Sequence, residues 1–214
     1  SESFARLVAA FDDPKVGVAY GRQLPHKDAT PISAHARLFN YPPTSCSVTV
    51  SDRHTLGIKT CFCSDSFAAY RHAALVEVGG FPAAAPVGED VLVTAMMLKR
   101  DWTKYYAADA QVFHSHSYTA FAELKRAFDI GAFYSETPWL SELFGGASGE
   151  GRRFVQSEFR YLARLAPLLI GFALVRTGAK AIGYGLGKRN RFIPLSIKKH
   201  LSLHRDYWDK QTQH

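Results

Sequence analysis

Two acidic residues stand side by side, Glu89 and Asp90, in the stretch Val87-Gly88-Glu89-Asp90-Val91-Leu92-Val93, and His114-Ser115-His116 follows two dozen residues later. A carboxylate at the start of a helix can serve as a general base. A neutral imidazole is a plausible ligand for Mn2+ or Mg2+. His114 and His116 are two apart at a strand end, so they point the same way. Each feature has a plainer reading as well. Acidic residues gather at helix N-termini because exposed N–H groups and the helix dipole favour them, and a strand-end histidine can simply bond to backbone. Two imidazoles do not complete a divalent site, so further ligands would have to come from elsewhere. Arg22, Arg37, Lys59 and Arg71 are bases in a mildly acidic first part of the chain. A pyrophosphate or a charged acceptor would need such groups, and ordinary surface charge is the alternative for each.

The elements that must position these residues alternate between helix and strand. Phe4–Phe11 reads as a short amphipathic helix stopped by Asp12-Asp13-Pro14, and Val16–Tyr20 as a strand. Gly21–Pro31 reads as a polar loop, Ile32–Asn40 as a helix ended by Pro42-Pro43, and the following residues as loop to Gly57. Lys59–Tyr70 alternates as extended structure does. Arg71–Val78 reads as a helix closed by Gly79-Gly80. A loop through Pro82 and Pro86 then delivers the acidic pair to the first turn of a Val91–Arg100 helix. Trp102–Ala107 and Ala110–Phe113 are expected as strands and Thr119–Phe133 as an amphipathic helix. Gly145–Gly149 reads as a hinge, with a long, interrupted helical region from Arg152 towards Gly187. The fold class is α/β.

With 214 residues, the chain is long enough to bury a real core. Its three cysteines, Cys46, Cys61 and Cys63, are an odd number without CxxC spacing, which fits a reducing compartment and packing roles. The net charge of +7 is uneven: residues 150–214 hold 13 Lys/Arg against 4 Asp/Glu. That tail contains the apolar run Leu165–Val175 between Arg164 and Arg176. Eleven residues are too few to span a bilayer, which takes about 20. A helix lying in an anionic membrane surface and a helix packed on the main domain both satisfy the pattern.

Several stretches together resemble the family 2 glycosyltransferases, in particular their bacterial rhamnosyltransferase-like members. They are Val18-Ala-Tyr-Gly-Arg-Gln-Leu-Pro25, Cys61-Phe-Cys-Ser-Asp-Ser-Phe-Ala-Ala-Tyr-Arg71, Glu77-Val-Gly-Gly-Phe81, Gly88-Glu-Asp-Val-Leu-Val-Thr94, Tyr106 to His116 and Phe128-Asp-Ile-Gly-Ala-Phe133. The resemblance implies a GT-A fold, a Rossmann-like α/β sandwich, with a nucleotide-sugar donor and inversion at the anomeric carbon. By position it makes Asp90 the general base and Glu89 its support. His114 becomes a ligand of the Mn2+ or Mg2+ ion that neutralises the departing nucleotide diphosphate, with His116 as fallback, and Asp65 lines the sugar or acceptor pocket. The family's N-terminal half, with its first apolar strand and Asp-x-Asp metal motif, has no counterpart here. The expectation is therefore that residues 1–140 form the acceptor-side half of the catalytic domain and residues 150–214 a basic amphipathic helical tail. On that expectation the chain is the C-terminal part of the enzyme and inactive alone.

The implied activity is transfer of a sugar, rhamnose from dTDP-rhamnose being the leading expectation, to a polysaccharide or lipid-linked oligosaccharide in bacterial surface polysaccharide synthesis. The implied location is the cytoplasm, peripheral at the inner face of the plasma membrane. A different class, a non-catalytic membrane-associated module on a transferase-like scaffold, fits the same tail. Nucleic acid is not an expected partner: the basic residues cluster around an apolar run, without helix-turn-helix, zinc or RNA-recognition signatures.

Overall fold

The computed structural model describes residues 2–82, 85–146 and 149–210. Helix α1 (Glu2–Ala9) leads into strand β1 (Val16–Leu24). Helix α2 (Pro31–Asn40) is started by Thr30, whose hydroxyl accepts the Ser33 N–H (3.3 Å), and by Pro31 at its first position. Strand β2 (Cys46–Val48) and the one-turn helix α3 (Arg53–Leu56) follow. Strand β3 (Ala68–Tyr70), helix α4 (His72–Glu77) and helix α5 (Glu89–Leu98) lead to strand β4 (Thr103–Phe113). The rest is helical: α6 (Ala120–Glu136), α7 (Pro138–Phe144), α8 (Glu150–Leu165), α9 (Ile170–Lys188), α10 (Leu195–Leu201) and α11 (Arg205–Lys210).

The four strands form one mixed sheet in the order β2-β4-β1-β3. Its centre is the parallel pair β1–β4, with Ala19 opposite Tyr105 and Leu24 opposite Phe113. β3 and β2 close the two sides antiparallel. Alternation along β1 divides the core. Val18 and Tyr20 pack with Val93 and Met97 of α5 on one face, whereas Ala19 packs with Leu7 of α1 on the other.

Several expected boundaries move, and the stretch expected as loop to Gly57 holds β2 and α3. β1 continues through Leu24, into the stretch expected as loop, because Arg22, Gln23 and Leu24 pair with Gln111, Val112 and Phe113. The two strands expected between residues 102 and 113 are one, since the register shift between Gly21 and Arg22 absorbs the irregularity without ending β4. Lys59–Tyr70, expected as extended, holds two 3-10 turns (Gly57–Cys61 and Asp65–Phe67) before β3. Lys104 sets that shape: its buried ammonium donates to the carbonyls of Lys59 (3.1 Å) and Phe62 (3.0 Å), tying the segment to β4. Cys61 and Cys63 are buried, their thiols pushed up to about 12 by burial, as expected of packing residues. The expected hinge Gly145–Gly149 lies partly outside the described residues.

The helices of the basic tail pack back on the rest of the chain. α9 runs along α6, and the contact is close because three glycines sit in it. A Cβ on Gly183 or Gly187 would lie 2.1 Å from the carbonyl oxygens of Leu124 and Phe128, respectively. A Cβ on Gly131 of α6 would lie 2.4 Å from the carbonyl oxygen of Tyr184. The Phe128–Phe133 stretch is where the chain's end is received. Phe128 packs against Trp208 (ring centroids 6.0 Å apart), and buried Asp129 accepts the Leu203 N–H at 2.9 Å.

Candidate active site

A cleft of about 430 Å³ opens beside the C-terminal ends of β1 and β4, where α/β sheets commonly bind ligands. Asp90 lines it from the second position of α5. Gly88 fixes that placement. It precedes the helix with φ +84°, a left-handed conformation that side-chain-bearing residues rarely adopt, and a Cβ there would lie 2.9 Å from the Phe133 ring. The loop can therefore turn tightly enough to face the acidic pair into the cleft.

Asp90 is held by backbone on both oxygens. Oδ1 accepts the Val91 N–H (2.8 Å), and Oδ2 accepts the Asp65 N–H (3.3 Å). Burial pushes its carboxyl up to about 6, helped by the negative charges of Asp65 and Glu89 and opposed by the two backbone bonds. Such a group is ionised at neutral pH yet basic enough to take a proton. Glu89 lines the same cleft. Asp65, expected to line the pocket, is not among the described residues lining the cleft: its carboxylate accepts the Tyr70 hydroxyl, and burial raises its pKa.

Two imidazoles line the same cleft. His114 leaves the end of β4 with its N–H on the Leu24 carbonyl (2.8 Å). Its ring meets that of His116 edge-on, centroids 4.4 Å apart, and both line the cleft. Burial, the neighbouring His116 and Arg37 hold His114 below the usual imidazole range. Burial, Arg37 and Arg126 do the same to His116. Both rings are thus kept neutral, with a lone pair available. Among the described residues, however, no three His, Cys, Asp or Glu side chains converge as a metal site. These residues alone do not make up the shell of a Mn2+ or Mg2+ ion, and no step below passes through one.

The expected basic residues divide. Arg37 lines the cleft and donates to Gln23 (2.6 Å), whose amide in turn donates to Ser64 (2.8 Å). Arg22 donates to the Tyr41 carbonyl (3.1 Å), and Lys59 pairs with Glu150 at the start of α8. Neither Arg22 nor Lys59 is among the described residues lining the cleft. Arg126, Tyr118 and His204 do line it and went unremarked in the sequence. Arg126 lies on α6, whose helical period sends it towards His116, whereas His204 arrives from the far end of the chain and carries no local signal.

Among curated proteins, the O-antigen chain rhamnosyltransferase RfbN of Salmonella typhimurium (strain LT2) is 45% identical over 209 residues, covering 98% of this chain and 67% of the relative. The chain belongs to the O-antigen chain rhamnosyltransferase family. A second member, the O-antigen chain rhamnosyltransferase WbaN of Salmonella anatum, is 44% identical over 203 residues, or 95% of this chain and 64% of its own length. The chain thus spans about two thirds of the length of these family members. No family model and no solved structure matches it significantly.

Proposed function

We propose that this chain carries the acceptor side of an inverting glycosyltransferase that moves rhamnose from dTDP-rhamnose to a glycan or lipid-linked glycan in O-antigen synthesis, with Asp90 as general base. The observation that carries the reading is a carboxyl with a pKa of about 6, anchored by two backbone N–H groups at the wall of a cleft. Ionised Asp90 takes the proton of an acceptor hydroxyl as its oxygen attacks the anomeric carbon of the sugar. The bond from that carbon to the diphosphate breaks on the opposite face, and the nucleotide diphosphate leaves with the electron pair. Arg37 and Arg126 lie in the same cleft and supply positive charge. A Mn2+ or Mg2+ ion belongs to the proposal only with ligands beyond the described residues, His114 or His116 being one of the set.

Membrane attachment is part of the same proposal. No described helix is long and apolar enough to cross a membrane. Leu165, Leu168, Phe172 and Val175 are nevertheless exposed, Leu168 at 97%, next to the arginines of α8. That pairing suits an anionic lipid surface. Flotation with phosphatidylglycerol-containing vesicles, but not with phosphatidylcholine alone, is the expected result, and equal flotation would contradict it.

The transfer reading is tested by nucleotide-diphosphate release from the complete protein with a panel of sugar nucleotides, an acceptor extract and Mn2+ or Mg2+. Release from dTDP-rhamnose is expected. Release from a different donor alone would overturn the sugar assignment, and silence from folded protein would favour a non-catalytic module.

A further inference from the structure

A second cavity, of about 150 Å³, adjoins the cleft and shares Arg37, Asn40, His116, Tyr118 and Arg126 with it. Arg176 and Lys180 of α9 line this cavity and not the cleft, and its carboxylates are Glu123 of α6 and Glu158 of α8. Its lining therefore carries four cations against two carboxylates.

Pairing does not cancel that excess. The Glu123 carboxylate holds the Arg176 guanidinium, with the Lys180 ammonium 3.6 Å from the same oxygen, so two cations share one carboxylate. Arg37 donates to Gln23, and neither Arg37 nor Arg126 pairs with a carboxylate among the described residues. Arg176 is only 7% exposed, yet its Nε has no hydrogen-bond partner among the described residues. Burial pushes the Glu158 carboxyl up, towards its neutral form. Neighbouring imidazoles register the same positive field. Burial, then Arg37 and Arg126, hold His116 below its usual range, and burial, then Lys180, do so for His35.

A buried guanidinium left partly unpaired costs stability that an apolar side chain would not. A phosphate group answers this lining, because its oxygens accept from guanidinium forks and from an ammonium together. A neutral sugar would leave the excess charge uncompensated, and an apolar chain would leave every donor unmatched. The volume lies below that of pockets for drug-sized ligands, about 300–1,000 Å³. It takes a compact anion, whose attached group extends into the adjoining cleft.

We propose that this cavity is a diphosphate-binding site, with Arg176 and Lys180 as its own cations and Arg37 and Arg126 shared with the cleft. Glu123 is a positioning residue that fixes Arg176. The site stands on this geometry, whereas assigning its anion to a substrate rests on the transfer reading. That reading offers two sources of the same chemistry: the nucleotide diphosphate of the donor, and an acceptor joined to lipid through diphosphate.

The test is calorimetry on the complete protein without divalent cation, using inorganic pyrophosphate, dTDP and farnesyl diphosphate, with thymidine and farnesol as phosphate-free controls. Saturable pyrophosphate binding is expected. Arg176→Gln and Lys180→Met should each weaken it at least about fivefold, as loss of a charge-assisted contact does. Glu158→Gln should tighten it, an effect that damage to the fold would not produce. Lys180 is partly exposed, so Lys180→Met with Glu158→Gln keeps the test decisive if Arg176→Gln fails to fold. A loss in Lys180→Met shared by dTDP assigns the site to the donor, and one shared by farnesyl diphosphate assigns it to the acceptor. Absence of saturable pyrophosphate binding, or affinity indifferent to Lys180→Met and Glu158→Gln, would overturn the site. A loss that neither organic diphosphate shares would overturn its assignment to a substrate. Diphosphate binding with the expected variant effects but no sugar transfer would uphold the site and sink the transfer reading. Transfer by Lys180→Met with the KM of both substrates unchanged would do the reverse.

Discussion

The backbone N–H of Asp65 donates to Oδ2 of Asp90 at 3.3 Å, so the cleft-lining Asp90 is tied to a second acidic residue 25 positions away that does not itself line the cleft. The contact does two opposing things. The N–H steadies the ionised form of Asp90, while the Asp65 side-chain charge opposes it. Because the N–H belongs to the backbone, side-chain substitutions at Asp65 separate these effects.

Activity should therefore rise with pH on an acid limb centred near 6, where Asp90 ionises, and level off above neutrality. Asp65→Asn and Glu89→Gln each remove a charge that raises the Asp90 pKa, so each should move that limb to lower pH. The measurement is kcat/KM for acceptor from pH 4.5 to 8.5. A limb that stays in place in both variants would count against Asp90 as the titrating group.

The same electrostatics make a stability prediction. The folded protein holds the Asp90 proton more tightly than an unfolded chain does, since the pKa rises from 3.8 to about 6. The contribution is fully favourable below pH 3.8 and is lost as pH climbs through 6, leaving the ionised group a burden at neutrality. Asp90→Asn keeps an oxygen for the Val91 N–H and loses the charge, so at pH 7 it should stabilise the fold by about 1–2 kcal/mol. Urea denaturation at pH 7 and pH 4.5 checks this: the gain should shrink at the lower pH, and a destabilised variant at pH 7 would contradict it.

Gly88→Ala should cost about 1–3 kcal/mol from the left-handed backbone alone, with the Phe133 ring contact adding to it. Since the loop sets where α5 begins, we expect transfer to fall at least tenfold even where the variant remains folded. Thermal melts and turnover on the same preparation read both. Near-normal values of each would show that the loop has slack.

Gly187→Ala tests whether the tail's packing matters to the cleft. Its Cβ would meet backbone of α6, which cannot swing aside as a side chain can, and about 1–3 kcal/mol of overpacking is expected. The displaced helix is followed by the segment that brings His204 to the cleft, so acceptor KM should rise. Unchanged acceptor KM in a destabilised variant would make the tail purely structural.

Much of this site was legible as sequence because its central parts are local. The Gly88-Glu89-Asp90 loop, the strand-end histidines and the Gly79-Gly80 helix stop each carry their cause within a few residues. Cys61-x-Cys63 was likewise readable as packing. What stayed hidden depends on long-range placement. Arg22 and Lys59 look like any cleft cation until the Tyr41 carbonyl and Glu150 are seen to engage them. Lys104 is an ordinary strand lysine until it is found buried beneath two carbonyls. His204 and the Glu123–Arg176 pair join elements more than 50 residues apart, a separation that periodicity does not register.

The most direct measurement is transfer of radiolabelled rhamnose by the complete protein and its Asp90→Asn variant under single-turnover conditions, with dTDP-rhamnose affinity measured alongside. We expect transfer to fall by about 10²–10⁴-fold, the range of general acid–base contributions, with donor affinity within about threefold of the unaltered protein. Transfer by Asp90→Asn within tenfold of the unaltered protein would contradict the assignment of Asp90 as the base.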